Sequence, residues 1–238
     1  MIAPGSSPVT TYALVHGAWH GAWCWDRVAR HLSGAGHRTV AVDLPCEDLA
    51  AGCSAYAEIV LTDVASVDDD LVLVGHSAGG LTLPLVAAAR SVKKLVFVAA
   101  LLPLPARPFA EQNTEEHILL DEYQAGIELD HLGRRRWFDA EVAGRFLYSG
   151  CTPADARWAF SHLRPQASTM YTEPSPLRAW PEVPVIDIRG TDDRLISAQW
   201  SARAVPARLG VSSVVFDGAG HSLLISHARE LADFLLGL

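Results

Sequence analysis

The sequence has no apolar run of the roughly 18 residues that a membrane-spanning helix requires. Its longest candidate, Leu95 to Leu104, fits a buried strand. Residues Met1 to Ser7 hold neither a basic cluster nor a long apolar stretch, so no secretory leader is expected there. Cysteine is sparse, and Cys24, Cys46, Cys53 and Cys151 show no CxxC spacing. That argues against a zinc site, and against a disulfide framework in a chain of 238 residues. The four read as free thiols in a reducing compartment, and a cytoplasmic location is expected. Lysine is nearly missing: only Lys93 and Lys94 stand among 19 basic residues, against 27 acidic ones and a net charge of −8. No nucleic-acid or anionic-membrane partner is expected, since either needs a basic face. Small acidic substrates stay open, because a local field can oppose the net charge. Internal repeats and low-complexity tracts are also lacking.

What remains is a chain that is 50% hydrophobic and 19% charged, the balance of a globular fold with one sizeable core. Strand-like apolar runs alternate with segments of helical period, the pattern of an α/β fold with a mainly parallel sheet flanked by helices. Strands are expected at Tyr12 to His16, Thr39 to Leu44, Leu71 to Val74, Leu95 to Ala100, Val183 to Ile188 and Val211 to Phe216. Helices are expected at Trp23 to Leu32, Ala55 to Val67, from Gly79 to about Arg90, Ser197 to Arg208 and Arg229 to Leu236. Pro84 should kink the third of these. After Pro103-Leu104-Pro105 the alternation stops. Residues 105–180 read as a helical cap inserted into a core made of 1–104 and 181–238. The insertion is rich in aromatic residues and carries the run Arg134-Arg135-Arg136, which reads as a solvated face.

Gly75-His76-Ser77-Ala78-Gly79 fits G-x-S-x-G and lies between an apolar strand and a helix. The tight turn this context requires forces the serine to positive φ and lifts its hydroxyl above the sheet. Ser77 is therefore the candidate nucleophile. Acyl transfer also needs two fixed N–H donors aimed at one oxygen. The amide after the nucleophile, Ala78, is one candidate. The loop His16-Gly17-Ala18-Trp19 after the first strand supplies the other, with Ala18 favoured.

A serine needs a base, and histidine suits neutral pH. Of ten histidines, His221 is singled out by its Gly-Ala-Gly-His loop after the last strand. His76 adjoins Ser77 and should point away from it, and His16 and His20 read as loop or pocket residues. The orienting acid should follow the preceding strand, where Gly190-Thr191-Asp192-Asp193 offers two carboxylates. The spacing favours Asp193, with Asp192 as the alternative. Asp187 and Asp217 read as structural. The order Ser77, Asp193, His221 is that of the α/β-hydrolase triad.

The stretch Leu14-Val15-His16-Gly17-Ala18-Trp19-His20-Gly21-Ala22-Trp23-Cys24-Trp25 resembles the HGxxHGxWxW signature of the plant methylesterase and hydroxynitrile lyase branch of α/β-hydrolases, which has bacterial esterase members. Val74-Gly75-His76-Ser77-Ala78-Gly79-Gly80 is similar to that branch's VGHSxGG elbow, and Phe97-Val98-Ala99-Ala100 and Leu163-Arg164-Pro165 are similar too. The resemblance implies a serine carboxylesterase for a small ester or lactone, needing no cofactor and no metal; it also suggests a homodimer. The branch's lyases carry a threonine in the early loop and a lysine after the catalytic histidine. Gly17 and Ser222 occupy those positions here, which favours ester hydrolysis over carbon–carbon cleavage. The pocket should lie between elbow and cap, with Trp19, Leu102, Trp137, Phe138, Phe146, Leu147 and Tyr148 as candidate substrate-binding residues. Two other readings stay in play: a hydroxynitrile lyase on the same site, and a small-ligand receptor with a slow, vestigial hydrolase site.

Overall fold

The structure, a computed structural model, describes residues 9–68 and 70–238. The six apolar segments form strands β1 (Thr10–Val15), β2 (Arg38–Val42), β3 (Asp70–His76), β4 (Lys94–Val98), β7 (Val185–Gly190) and β8 (Val214–Phe216). They make one parallel sheet in the order β2-β1-β3-β4-β7-β8. Strands covered on both faces can be apolar throughout. Accordingly Leu71 to Val74 of β3 and Leu95 to Val98 of β4 are buried without alternation.

Around this sheet run α1 (Asp26–Gly34), α2 (Cys53–Asp63), α3 (Leu83–Ala89), α8 (Ala198–Leu209), α9 (Leu223–Ser226) and α10 (Ala228–Leu236). Helix α1 buries Val28 and Leu32 and packs on α10, which buries Leu231, Ala232 and Leu235. Each such fully buried Val or Leu contributes about 2 kcal/mol. Helix α3 does not run on from Ser77. A 3₁₀ turn, Ser77–Leu81, comes first, and Pro84 sits in the first turn of α3. The expected kink is thus a helix start, where proline's missing N–H costs nothing.

Between β4 and β7 lie α4 (Phe109–Glu116), α5 (Ala140–Phe146), α6 (Pro153–Phe160) and α7 (Thr169–Thr172). This segment is not purely helical, contrary to the sequence expectation. Strands β5 (Ile127–Leu129) and β6 (Arg135–Trp137) pair antiparallel. Their turn is closed by Asp130, whose Oδ1 accepts from the Leu132 and Arg134 amides, and by Gly133 at φ +76°. Three-residue strands are too short to show a period of two, and the arginine run hid the second one.

Sheet order places the loops that matter. The chain leaves β1 toward β2 and returns to β3 on the other side of β1, which opens a crevice beyond the strand ends. Val15 lies opposite Gly75 there, so residues 16–20 and Ser77 emerge side by side. Gly190 likewise pairs with Phe216, so the loops after β7 and β8 are neighbours. The four cysteines are unpaired. Among the described residues no helix is long and apolar enough to cross a membrane.

Candidate active site

Ser77 has φ +50°, in the left-handed region that a non-glycine residue adopts only under constraint. The constraint is visible on both sides. The Ser77 carbonyl accepts from the Leu101 amide at 2.9 Å. A Cβ at Gly79 would stand 2.7 Å from the His16 carbonyl oxygen and 2.8 Å from that of Val15. Glycine therefore lets the elbow pass directly beneath the end of β1.

The loop 16–20 is held by its carbonyls. His16 Nδ1–H donates to Gly17 O at 2.8 Å, and His20 Nδ1–H donates to Ala18 O at 2.7 Å. Trp19 O accepts from the Arg164 amide at 2.8 Å, and His20 O accepts from the Arg164 guanidinium at 2.7 Å. Each imidazole is fixed in the Nδ1–H tautomer from its other side: His16 Nε2 accepts from the Leu44 amide, and His20 Nε2 from the Tyr148 hydroxyl. With its oxygens tied back, the loop is rigid where it meets the elbow. The Trp19 amide goes to Gln166 Oε1, and Trp19 itself has φ +63°.

The loops after β7 and β8 bring His221 to Asp193. Nδ1–H of His221 donates to Asp193 Oδ2 at 3.0 Å, and Asp193 Oδ1 accepts from the Leu195 and Ile196 amides at 2.8 and 3.0 Å. Burial alone would raise the Asp193 carboxyl, but His221 and the two amides outweigh it and hold the group below the usual carboxylate range. His221 Nε2 is buried with no hydrogen-bond partner among the described residues. The His221 carbonyl accepts from His76 Nε2–H at 3.1 Å, which ties this loop to the residue before Ser77. The other carboxylates are placed differently. Asp192 is exposed, and its side chain accepts from Thr191 Oγ1. Asp187 is buried against Arg189 and Ser213.

By sequence, residues 13–234 match the alpha/beta hydrolase family. The chain belongs to that family. Methylesterase 2 of Arabidopsis thaliana is 29% identical to this hydrolase, with 95% of each chain covered. Norfluorocurarine synthase 2 of Strychnos sp is 30% identical, with 94% of this hydrolase and 93% of the relative covered. The crystal structure of polyneuridine aldehyde esterase superposes with a TM-score of 0.81 at 22% identity, covering 96% of this hydrolase and 98% of that chain. These relatives place it in the methylesterase-like branch.

A cavity of about 180 Å³ opens over the elbow of the hydrolase. Ser77, Ala18, Ala78 and Trp19 line it from the sheet side, and Phe109, Tyr123, Arg135 and Tyr171 from the inserted segment. Of the seven aromatic and aliphatic side chains the sequence offered as substrate contacts, Trp19 is in this lining. Trp137 stands behind it, edge-on to Trp19 at 5.7 Å. Tyr148 lies under the donor loop on His20, and Phe146 and Leu147 are buried. Leu102 is buried with its carbonyl on Arg208, and Phe138 is 51% exposed. Tyr123, Tyr171 and Phe109 were not singled out from sequence. Their segment's aromatic richness was the available signal, but it did not say which rings face inward.

Two consequences can be measured on this hydrolase. A Cβ at Gly17 would lie 2.7 Å from Ser77 Cβ, an atom fixed by the backbone. Gly17→Ala must therefore push loop and elbow apart; kcat should fall roughly 10- to 100-fold, and the overpacking should cost about 1–3 kcal/mol of stability. The second concerns acid. Burial pushes His16 down to about 4 and His20 down to about 3, and burial also lowers His76 well below its ordinary value. All three stay neutral in the folded protein, whereas the unfolded chain takes up their protons near pH 6.5. Stability is then full above about pH 6.5. It falls as the pH drops toward 4, by about 1.4 kcal/mol per pH unit for each histidine. Urea midpoints at pH 7, 6 and 5 should decline steeply; a flat series would contradict the buried neutral state.

Proposed function

We propose that the protein is a serine carboxylesterase acting on small esters or lactones through Ser77, His221 and Asp193. The reading is carried by one observation: Ser77, held at positive φ, shares its cavity with Ala18 and Ala78, the two residues whose amides can face one oxygen. Ester hydrolysis is also what the names of the esterase and methylesterase relatives describe.

In this mechanism His221 Nε2 accepts the proton of Ser77 Oγ as that oxygen attacks the ester carbonyl. The Ala18 and Ala78 N–H groups hold the resulting oxyanion. As the tetrahedral intermediate collapses, the C–O bond to the alcohol breaks and the alcohol leaves with the proton from His221. Water then attacks the acyl-serine with the same groups in reversed roles. Asp193 keeps the proton on Nδ1, so Nε2 enters as a base, and it stabilises the imidazolium that forms. Residues 105–180 act as the cap that closes the cavity over the elbow. The four unpaired cysteines suit a cytoplasmic enzyme.

Lyase chemistry on the same site is disfavoured by two residues. Gly17 has no hydroxyl and no room for one beside Ser77. Ser222, at the position after His221, is fully buried and offers no cation to a cyanide leaving group. The test uses p-nitrophenyl acetate and butyrate, a fluorophosphonate and mandelonitrile. Turnover of the esters, with the phosphonyl adduct mapped to the Ser77 peptide, supports the esterase. Cyanide release without ester turnover assigns the lyase. Saturable ligand binding with neither activity assigns the receptor.

A further inference from the structure

The protein carries a net charge of −8, yet among the described residues the only charged side chain lining the cavity over Ser77 is a cation, Arg135. Among the described residues neither Asp nor Glu lines that cavity. Its neighbours in the arginine run are neutralised: Arg134 pairs with Asp130 at 2.7 Å, and Arg136 pairs with Glu128. Arg135 makes no ion pair among the described residues. Its guanidinium donates to the Tyr123 hydroxyl at 3.3 Å and lies 5.9 Å from the Tyr123 ring centroid. Of the five N–H donors that a guanidinium presents, one is thereby engaged. Asp121, the carboxylate beside Tyr123, is exposed and forms no ion pair with Arg135.

The placement is rigid as well as unneutralised. The Arg135 amide and carbonyl are both bonded to Gln166, at 2.9 and 2.8 Å. The same carbonyl accepts from Trp19 Nε1 at 3.0 Å, and the Gln166 side chain accepts from the Trp19 amide. The backbone under this guanidinium is therefore clamped to the loop that carries Ala18. A second donor faces the same space. Asn113 spends its Oδ1 on the Leu119 amide, so its NH2 group is left for the cavity it lines. A half-buried, unpaired guanidinium on a clamped backbone, with apolar and aromatic walls, suits a planar carboxylate through paired N–H bonds.

We propose that Arg135 makes this cavity selective for esters carrying one ionised carboxylate, the half-esters of small dicarboxylic acids, by pairing with that carboxylate while the ester carbonyl faces Ser77. This rests on the esterase reading above. Because the whole-protein charge repels anions, the preference arises in the bound complex and is read in KM more than in association rate.

The test compares monomethyl succinate, glutarate and adipate with neutral methyl esters of the same chain lengths. The ratio of kcat/KM for half-ester over neutral ester should exceed one for at least one length. Arg135→Met should lower that ratio at least about tenfold, chiefly through KM. Arg135→Lys should restore part of it, and Arg136→Met, outside the cavity, should keep the wild-type ratio. A wild-type ratio at or below one for all three lengths overturns the proposal. So does an Arg135→Met variant that loses both substrate classes alike, since that marks a packing role. If no ester is hydrolysed at all, the esterase reading fails by itself. Glutarate titrated into Ser77→Ala, followed by tryptophan fluorescence, then decides the carboxylate site: saturable binding abolished by adding Arg135→Met supports it, and no binding overturns it.

Discussion

Ser77→Ala should lower kcat for p-nitrophenyl butyrate by about a million-fold, and adding His221→Ala should lower it no further. The expectation follows from the proposed mechanism, in which the two groups divide one event. A serine hydroxyl held at φ +50° is well aimed but is no nucleophile until its proton leaves. An imidazole whose Nδ1–H is committed to Asp193 has only Nε2 to take that proton, and Nε2 has no hydrogen-bond partner among the described residues. Remove either partner and the other has no task, so the two losses cannot multiply. The residual rate, about a thousandfold over water, would come from amide donors that neither substitution touches. Circular dichroism should show both variants folded. A double variant that is slower by the product of the single losses would mean that the two residues work independently, and the shared proton transfer would be wrong.

How far the sequence reveals such a site depends on the range of the forces involved. The strands were legible because burial on both faces writes an apolar run directly into the chain, as in Leu71 to Val74 and Leu95 to Val98. Ser77 was legible because a strand-to-helix turn tolerates few residue types, and Gly79 must admit the end of β1 within 2.8 Å. The donor loop was legible as a motif, but its mechanics were not. Nothing local says that Arg164, 144 residues beyond His20, ties back that residue's carbonyl. The cavity wall was the least legible. Arg134, Arg135 and Arg136 are identical in type, and an alternation set by a three-residue strand decides which one turns inward. Strand β6 is too short to announce itself. Phe138 misled for the same reason: its aromatic character suggested a wall, but its place just past the strand turns it to solvent.

Asp193→Asn should lower kcat/KM by about ten-thousandfold, whereas Asp192→Asn should stay within about threefold of wild type. Both oxygens of Asp193 accept from N–H donors: Oδ2 from His221 Nδ1, Oδ1 from the Leu195 and Ile196 amides. An asparagine has one oxygen, so its NH2 group must face one of those donors. The two backbone amides cannot change, so the amide oxygen goes to them and the NH2 group faces His221. The imidazole can accept that bond only by moving its proton from Nδ1 to Nε2, which leaves no lone pair to receive the Ser77 proton. The variant also takes away the negative charge that balances the imidazolium. Asp192 is tied in by its backbone, with its amide on Ala219 O and its carbonyl accepting from Ser149 Oγ, and both bonds survive the substitution. The two variants therefore separate a change of charge near the site from a change in which nitrogen holds the proton. Because His221 and the two amides hold the Asp193 carboxyl below its ordinary range, the wild-type acid should stay ionised at the neutral pH of the assay. Equal losses in the two variants would mean that the carboxylate next to His221 in space is not the one that governs it.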